Sequence, residues 1–193
     1  MGLGGFGAGY LADLRSPQRP SWLTPSLWTV SLVLIPLSVG LLAAHPARFG
    51  APAWLSLAGW GLAAPLSVLL ARSLFVDLPV TQAYGPPRGA RRLVASGSYA
   101  LVRHPSALWF LLLMGALVAA TRSLPLAAVT PAWASLEVLW VRLQERRLVV
   151  EAPEYVRYRQ QTPFLVPTRR SIAAFRGARA SRAASEPGGL PCP

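Results

Sequence analysis

The sequence predicts an all-α membrane protein: a polytopic helical bundle with about four transmembrane helices and a cytoplasmic carboxy-terminal amphipathic helix. Hydrophobic residues make up 53% of the 193 residues, and the mean hydropathy is +0.40. The formal net charge is nevertheless +12. These two properties are compatible if the apolar runs lie in lipid while the arginines lie in the connections and the tail.

Four apolar runs are the predicted spans, and each approaches the roughly 20 residues that cross a bilayer. They cover residues 26–44, 53–71, 106–121 and 125–141. The first run follows basic residues, as in a signal peptide, but its length and the poor cleavage site after it favour a span. The third and fourth runs are nearly consecutive, so they are expected to pack as an antiparallel hairpin.

The remaining segments complete the domain organisation. Residues 1–22 are predicted to be a leader, and residues 23–168 a membrane domain with its motif-bearing core at 84–167. Within that domain, residues 76–103 are predicted to form a loop and residues 142–158 an amphipathic helix that leaves the membrane. Residues 169–193 are rich in Arg, Ala, Ser and Gly, which predicts a disordered basic tail.

Arginine placement predicts the orientation. All 19 basic residues are arginines, and most lie in the leader, the long loop and the carboxy-terminal segment. This bias predicts a multi-pass integral membrane protein with both termini in the cytoplasm. Beside apolar segments, such charge favours membrane lipids rather than nucleic acid as the partner. The single cysteine, Cys192, excludes an internal disulfide framework and a zinc site of clustered cysteines, and no metal is predicted.

The first candidate motif is the block at residues 93–106, where the arginine-rich loop meets the third apolar run. Pro105 lacks a backbone donor and suits the first turn of a helix. The free amides of that turn, Ser106 among them, would favour an anionic group, to which Arg103 and His104 would add positive charge. The alternative is that these two side chains only anchor a membrane helix among the headgroups.

Two other positions in this block suit a binding site. Gly97 allows the backbone to approach a ligand closely, and Tyr99 offers a flat face with a hydroxyl. The second candidate cluster follows the fourth run. Arg142 and Glu145 share one side of a helix, although a surface salt bridge would explain them equally well. Tyr155 and Tyr158 have the same spacing, and interfacial aromatic residues are the alternative for that pair.

The ordered pair of motifs, "LVASGSYALVRHPS" and "QERRLVVEAPEYVRYRQQTPFLVP", resembles the isoprenylcysteine carboxyl methyltransferase-like membrane methyltransferases. That group includes bacterial phospholipid methyltransferase-like proteins. The resemblance covers residues 84–167, about half of the chain. The positions that match the family pattern are Gly97, Tyr99, Arg103, His104, Pro105, Glu145, Leu148, Tyr155, Tyr158, Pro163 and Pro167.

The resemblance implies a methyltransferase that uses S-adenosyl-L-methionine for methylation of a lipophilic or small nucleophile, such as a carboxylate, thiol or amine. The expected cofactor-binding residues are Leu93, Val94, Gly97, Tyr99, Arg103, His104, Pro105, Ser106 and Glu145. The expected substrate-binding residues are Arg142, Tyr155 and Tyr158. No catalytic acid or base is assigned, because methyl transfer depends mainly on an in-line approach of the nucleophile to the methyl group.

The chain also departs from the family pattern. Gln144 replaces the first of two paired glutamates, and Ala107 replaces an aromatic residue, which is expected to enlarge or loosen that corner of the pocket. A substrate-contacting arginine is replaced by Trp140, with Arg142 nearest to it. These changes argue against a prenylcysteine substrate. Two alternatives stay open: a membrane reductase that uses a nicotinamide cofactor, although no Gly-x-Gly-x-x-Gly motif is present, and a non-catalytic family member.

Overall fold

The structure is a computed structural model that describes residues 23–77, 95–151 and 153–185, together with a few positions before residue 12. These residues form six α-helices and no β-strand, which confirms the all-α prediction for the described part of the chain. The helices are α1 (Leu23–Ala44), α2 (Ala53–Phe75), α3 (Pro105–Thr121), α4 (Leu124–Glu151), α5 (Glu154–Gln161) and α6 (Arg169–Ser185). A 3₁₀ turn, Gly97–Ala100, precedes α3.

Two of the helices are long and apolar enough to cross a membrane: Ala53–Phe75 and Leu124–Val150. At about 1.5 Å per residue, either exceeds the roughly 30 Å hydrocarbon core of a bilayer. The other apolar helical segments, Thr29–Ala44 and Pro105–Thr121, are shorter. On α2, the large side chains of Trp54, Leu57 and Trp60 are exposed, a surface that suits contact with lipid.

The bundle is centred on α3, which packs on both α2 and α4. The contact between α2 and α3 is the most extensive helix pair. On the other side, Met114 of α3 is buried with Leu126 and Trp133 of α4, and side chains of α1 cover this core. The predicted hairpin of the third and fourth apolar runs is present. Its turn contains Arg122 in the left-handed conformation (φ 54°), followed by a fully buried Ser123.

The close approach of α2 and α3 requires a glycine at position 59. A Cβ atom there would lie 2.7 Å from Ala120 Cα and 2.8 Å from the carbonyl oxygen of Ala116. We expect Gly59→Ala to destabilise the protein by about 1–3 kcal/mol, because the added methyl group can only be accommodated by separating the two backbones. Gly61→Ala is the matched control, since the space around the Gly61 Cβ position is open. Thermal unfolding in detergent measures both variants, and equal midpoints would contradict this packing.

The structure corrects two predicted boundaries around α4 and α5. Residues 142–158 were expected to form one amphipathic helix, but α4 continues to Glu151 and a separate helix begins at Glu154. Pro153 immediately precedes that second helix. Proline has no N–H group and its ring disfavours helical conformation in the preceding residue, which explains the break.

The predicted disordered tail is also wrong over residues 169–185, which form α6. The amide of Ser171 donates to Thr168 Oγ1 (3.2 Å), and the amide of Thr168 donates to Ser171 Oγ (3.0 Å). This reciprocal cap satisfies two backbone donors at the start of the helix, and the alanine-rich sequence that follows has high helix propensity. Ser171 is buried, and α6 packs against the 3₁₀ turn. Residues 186–193 lie outside the described residues.

The long loop is only partly described. Helix α2 extends to Phe75, beyond the predicted end at residue 71, and the chain is then followed to Asp77. Leu93 and Val94, two of the predicted cofactor-binding residues, lie outside the described residues, as does most of the leader at residues 1–22.

Candidate functional site

The site begins at the first turn of α3. Pro105 lies in that turn, as predicted, and His104 is the N-cap residue. The imidazole of His104 makes no capping hydrogen bond, and the first intrahelical bond runs from the amide of Leu108 to the carbonyl oxygen of His104 (3.1 Å). Among the described residues no side chain is seen to cap the first turn, so the amides of Ser106 and Ala107 retain the partial positive charge typical of a helix start.

Three side chains from two segments converge on Glu145. His104 Nε2 and the hydroxyl of Tyr155 each lie 3.0 Å from Glu145 Oε1, and Arg103 Nε lies 3.3 Å from the same oxygen. Glu145 is only 7% exposed. Because a carboxylate can only accept, His104 must carry its hydrogen on Nε2, and the tyrosine hydroxyl donates. The two sequence motifs are thus joined at one oxygen, through His104 and Glu145, which lie 41 residues apart in the sequence.

Arg103 is buried without a full set of partners. Its side chain is 9% exposed, and both Nε and NH1 lack a hydrogen bond within the described structure. The Nε atom is within ion-pair distance of Glu145, but it is misaligned for hydrogen bonding. A buried polar group left unsatisfied costs about 1–3 kcal/mol, and more when it is charged. An anionic ligand would supply what the guanidinium lacks.

The two tyrosines of α5 have different partners. Tyr155 donates to Glu145, whereas Tyr158 donates to the backbone oxygen of Tyr99 (2.6 Å). Their ring centroids lie 5.7 Å apart, and both side chains are buried. Burial is the main cause that raises the pKa of Tyr155 and that of Tyr158 above the ordinary value for a phenol. Both hydroxyls therefore stay protonated near neutral pH, so they continue to donate these bonds.

A covering segment, residues 162–166, lies over the start of α3. The amide of Arg103 donates to the carbonyl oxygen of Pro163 (2.9 Å). The ring of Phe164 then packs edge-on against His104, with centroids 5.2 Å apart, and lies 5.6 Å from the Arg103 guanidinium. Sequence reasoning assigned no role to Phe164. The sequence feature that could have identified Phe164 is its position between the prolines of the second motif.

Asp77 is a second residue that sequence reasoning missed. Its carboxylate accepts from the backbone amide of Ser98 (3.2 Å) and from the Ser98 hydroxyl, and it pairs with Arg72 (3.5 Å). The 3₁₀ turn is thereby held against the end of α2. Gly97 has φ +61°, and a Cβ atom there would lie 3.1 Å from the Asp77 carboxylate. The sequence feature that could have identified Asp77 is its position as an isolated acidic residue in an arginine-rich loop.

We expect Gly97→Ala to destabilise the protein by about 1–2 kcal/mol, because a side chain disfavours positive φ. The added methyl group also crowds the Asp77 carboxylate. Gly115→Ala is the matched control, since Gly115 is an exposed helical glycine with open space around its Cβ position. That change should be neutral or slightly stabilising. Chemical or thermal unfolding in detergent compares the two, and an unaffected Gly97→Ala variant would contradict the described turn.

The structure brings most of the predicted site residues together. Those joined by the contacts above are Gly97, Tyr99, Arg103, His104, Pro105, Glu145, Tyr155 and Tyr158. Ser106 is half-buried in the first turn of α3. Arg142 is exposed, and its guanidinium lies 5.9 Å from the ring centroid of Phe164.

Two of the substitutions noted in the sequence have defined places. Ala107 is fully buried, so this position is closed to solvent. Trp140 is partly buried against the core between α3 and α4. It therefore serves helix packing in a position where a substrate-contacting arginine was expected.

Comparisons with protein-family models, curated proteins and solved structures found no match to this chain. The family resemblance therefore stays a prediction that depends on the motif residues and on the geometry described above.

Proposed function

We propose that the protein is an integral membrane methyltransferase that uses S-adenosyl-L-methionine to methylate a lipophilic or small nucleophile at the cytoplasmic membrane face. The convergence of Arg103, His104 and Tyr155 on Glu145 carries the proposal. These residues belong to the two motifs of the resemblance, which lie in different parts of the sequence. Burying a guanidinium without a full set of partners costs folding free energy. An arginine that only anchored a membrane helix could stay exposed and avoid that cost.

The proposed topology has α1 to α4 as four spans, with both termini and the long loop in the cytoplasm. The arginine bias of the sequence supports this orientation. At about 1.5 Å per residue, α3 measures roughly 25 Å, slightly shorter than the hydrocarbon core. The Glu145 cluster, at the start of α3 and near the end of α4, would then lie at the cytoplasmic surface, where α5 and the covering segment at residues 162–166 pack against it.

The proposed cofactor site uses both charges of the methionine portion. The carboxylate would bind the free NH1 group of Arg103 and the uncapped first turn of α3, because a guanidinium and a helix start both favour an anion. The three contacts to Glu145 all involve Oε1. Its second oxygen, Oε2, would therefore accept from the ammonium group of the same portion.

The cofactor supplies an electrophilic methyl group, and the protein orients it. Bound S-adenosylmethionine would require an in-line approach of the acceptor to the methyl carbon, because the carbon–sulfur electron pair would leave on sulfur as the new bond forms. Correct alignment of reacting atoms contributes much of the rate of such a step. Two sets of hydrogen bonds help this alignment, because they hold the 3₁₀ turn that borders the proposed site. Tyr158 bonds to Tyr99, and Asp77 bonds to Ser98.

The residues expected to bind substrate differ in how available they are. The hydroxyls of Tyr155 and Tyr158 are engaged by Glu145 and Tyr99. We therefore propose that these tyrosines shape the site, while Arg142, exposed beside Phe164, contacts the methyl acceptor. An anionic acceptor, such as a carboxylate or thiolate, would be favoured by that guanidinium and would need no general base.

Cofactor binding to the full chain, purified in detergent, tests the proposal. Isothermal titration should give saturable binding of S-adenosylmethionine, and labelled methyl groups should pass to a component of a lipid extract. Titration with NADPH on the same preparation is the matched comparison. Binding of NADPH alone would support a membrane reductase, and failure of the folded protein to bind either cofactor would support a non-catalytic role. Either result would overturn the proposal.

A further inference from the structure

A cleft of about 560 Å³ lies at the end of the bundle opposite Glu145. Helix α3 runs from the candidate site at His104 to Thr121 at the rim of this cleft. Roughly 25 Å therefore separates the two ends. The residues of the cleft that matter here are Gly40, Ala43, Arg48, Trp60 and Arg122. None of them belongs to the candidate methyltransferase site.

Two guanidinium groups are held in place beside the cleft by backbone oxygens. Arg48 NH1 donates to the carbonyl oxygens of Ala43 (2.8 Å) and Thr121 (2.5 Å), and Arg122 NH1 donates to that of Ala51 (3.0 Å). The two turns are also paired, because the amide of Phe49 donates to the carbonyl oxygen of Arg122 (2.9 Å). The position of both charges is thus set by the turns themselves.

These two guanidinium groups have no carboxylate partner in the described residues, where the ion pairs involve Arg72, Arg103 and His104. An arginine presents five N–H donors in a planar fork. The hydrogen bonds above use only the NH1 group of Arg48 and of Arg122, so donors remain on each. A phosphate matches such a fork and forms charge-assisted bonds with it. The cleft therefore carries two positive charges that favour a phosphate.

The walls of the cleft distinguish a lipid phosphate from a free one. Gly40 and Ala43 of α1 present apolar surface, and Trp60 of α2 presents its large ring, which is more than half exposed. Tryptophan is enriched where proteins meet the interface of a bilayer. An apolar wall beneath two guanidinium groups complements a molecule with acyl chains below a negatively charged headgroup.

We propose that this cleft binds an anionic phospholipid. Its phosphodiester lies between Arg48 and Arg122, and one acyl chain follows the groove past Gly40 and Trp60. The site is independent of methyl transfer, because it lies at the opposite end of the bundle and shares no residue with the Glu145 cluster.

Quenching of tryptophan emission by lipids with brominated acyl chains tests the proposal on the full chain in detergent. Brominated phosphatidylglycerol should quench at concentrations at which brominated phosphatidylcholine does not. The saturable part of the signal should disappear in Trp60→Phe. The double variant Arg48→Gln, Arg122→Gln should raise the half-saturating concentration about tenfold or more, as expected for the loss of charge-assisted bonds. Equal quenching by both lipids in all variants would overturn the proposal.

A second variant separates lipid binding from the structural hydrogen bonds of the two arginines. Gly40→Phe keeps both guanidinium groups but fills the groove, since the space around the Gly40 Cβ position is open. It should abolish the preference for phosphatidylglycerol without changing the unfolding midpoint. Gly115→Phe is the matched control, because that glycine is equally open but does not line the cleft. Unchanged binding in Gly40→Phe, or full competition by soluble glycerol phosphate, would exclude a lipid site.

Discussion

Glu145→Ala is expected to produce the largest single loss of both stability and cofactor binding. The change removes the carboxylate that pairs with Arg103 and His104, and no other carboxylate among the described residues pairs with these two buried side chains. Removing one partner of a buried ion pair costs about 3–5 kcal/mol. In a chain of this size each kcal/mol lowers the unfolding midpoint by roughly 2–4 °C. Thermal unfolding in detergent should therefore show a decrease of about 10 °C.

Glu145→Gln separates the two losses. Its amide oxygen still accepts from His104 and Tyr155, so the fold is retained better than in the alanine variant, but the charge that would bind the cofactor ammonium group is gone. We expect binding of S-adenosylmethionine to be at least about 10-fold weaker, the value of one charge-assisted hydrogen bond. Glu154→Ala is the control, because that glutamate is exposed on α5. If Glu145→Gln bound the cofactor normally, the proposed site would be wrong.

Arg103→Gln is expected to weaken binding of S-adenosylmethionine by about 10- to 100-fold. The guanidinium is buried, and its NH1 atom has no hydrogen-bond partner in the described structure. In the proposed complex it binds the cofactor carboxylate, and hydrogen bonds to charged groups contribute about 1.5–3 kcal/mol. Isothermal titration with the intact cofactor and with its decarboxylated analogue measures this contribution directly.

The analogue identifies which contact is lost. Wild-type protein should bind the decarboxylated cofactor more weakly than the intact one, and in Arg103→Gln this difference should be much smaller, because only the start of α3 is left to bind the carboxylate. Arg142→Gln is the matched control, because that arginine also lies beside Phe164 but is exposed. Equal losses for both ligands in Arg103→Gln would indicate general damage to the site and not a missing carboxylate contact.

Local sequence patterns were sufficient to locate the four apolar helices, α1 to α4. The four apolar runs predicted the positions of α1 to α4 within a few residues at most ends, and Pro105 predicted where α3 begins. The patterns missed the break between α4 and α5, where Pro153 lies, and the start of α6, which depends on hydrogen bonds made by two side chains. The reciprocal cap between Thr168 and Ser171 begins α6 in a segment whose composition predicted disorder.

The composition and order of residues thus determined the all-α class, the apolar segments and the two motifs that supply the candidate site. Only the tertiary structure decided that those motifs meet at Glu145 Oε1, that Asp77 holds the turn at Gly97, and that Phe164 covers His104. Helix periodicity is a local property, repeated every few residues. These contacts join residues tens of positions apart, and they depend on how α2, α3 and α4 cross and where each helix ends.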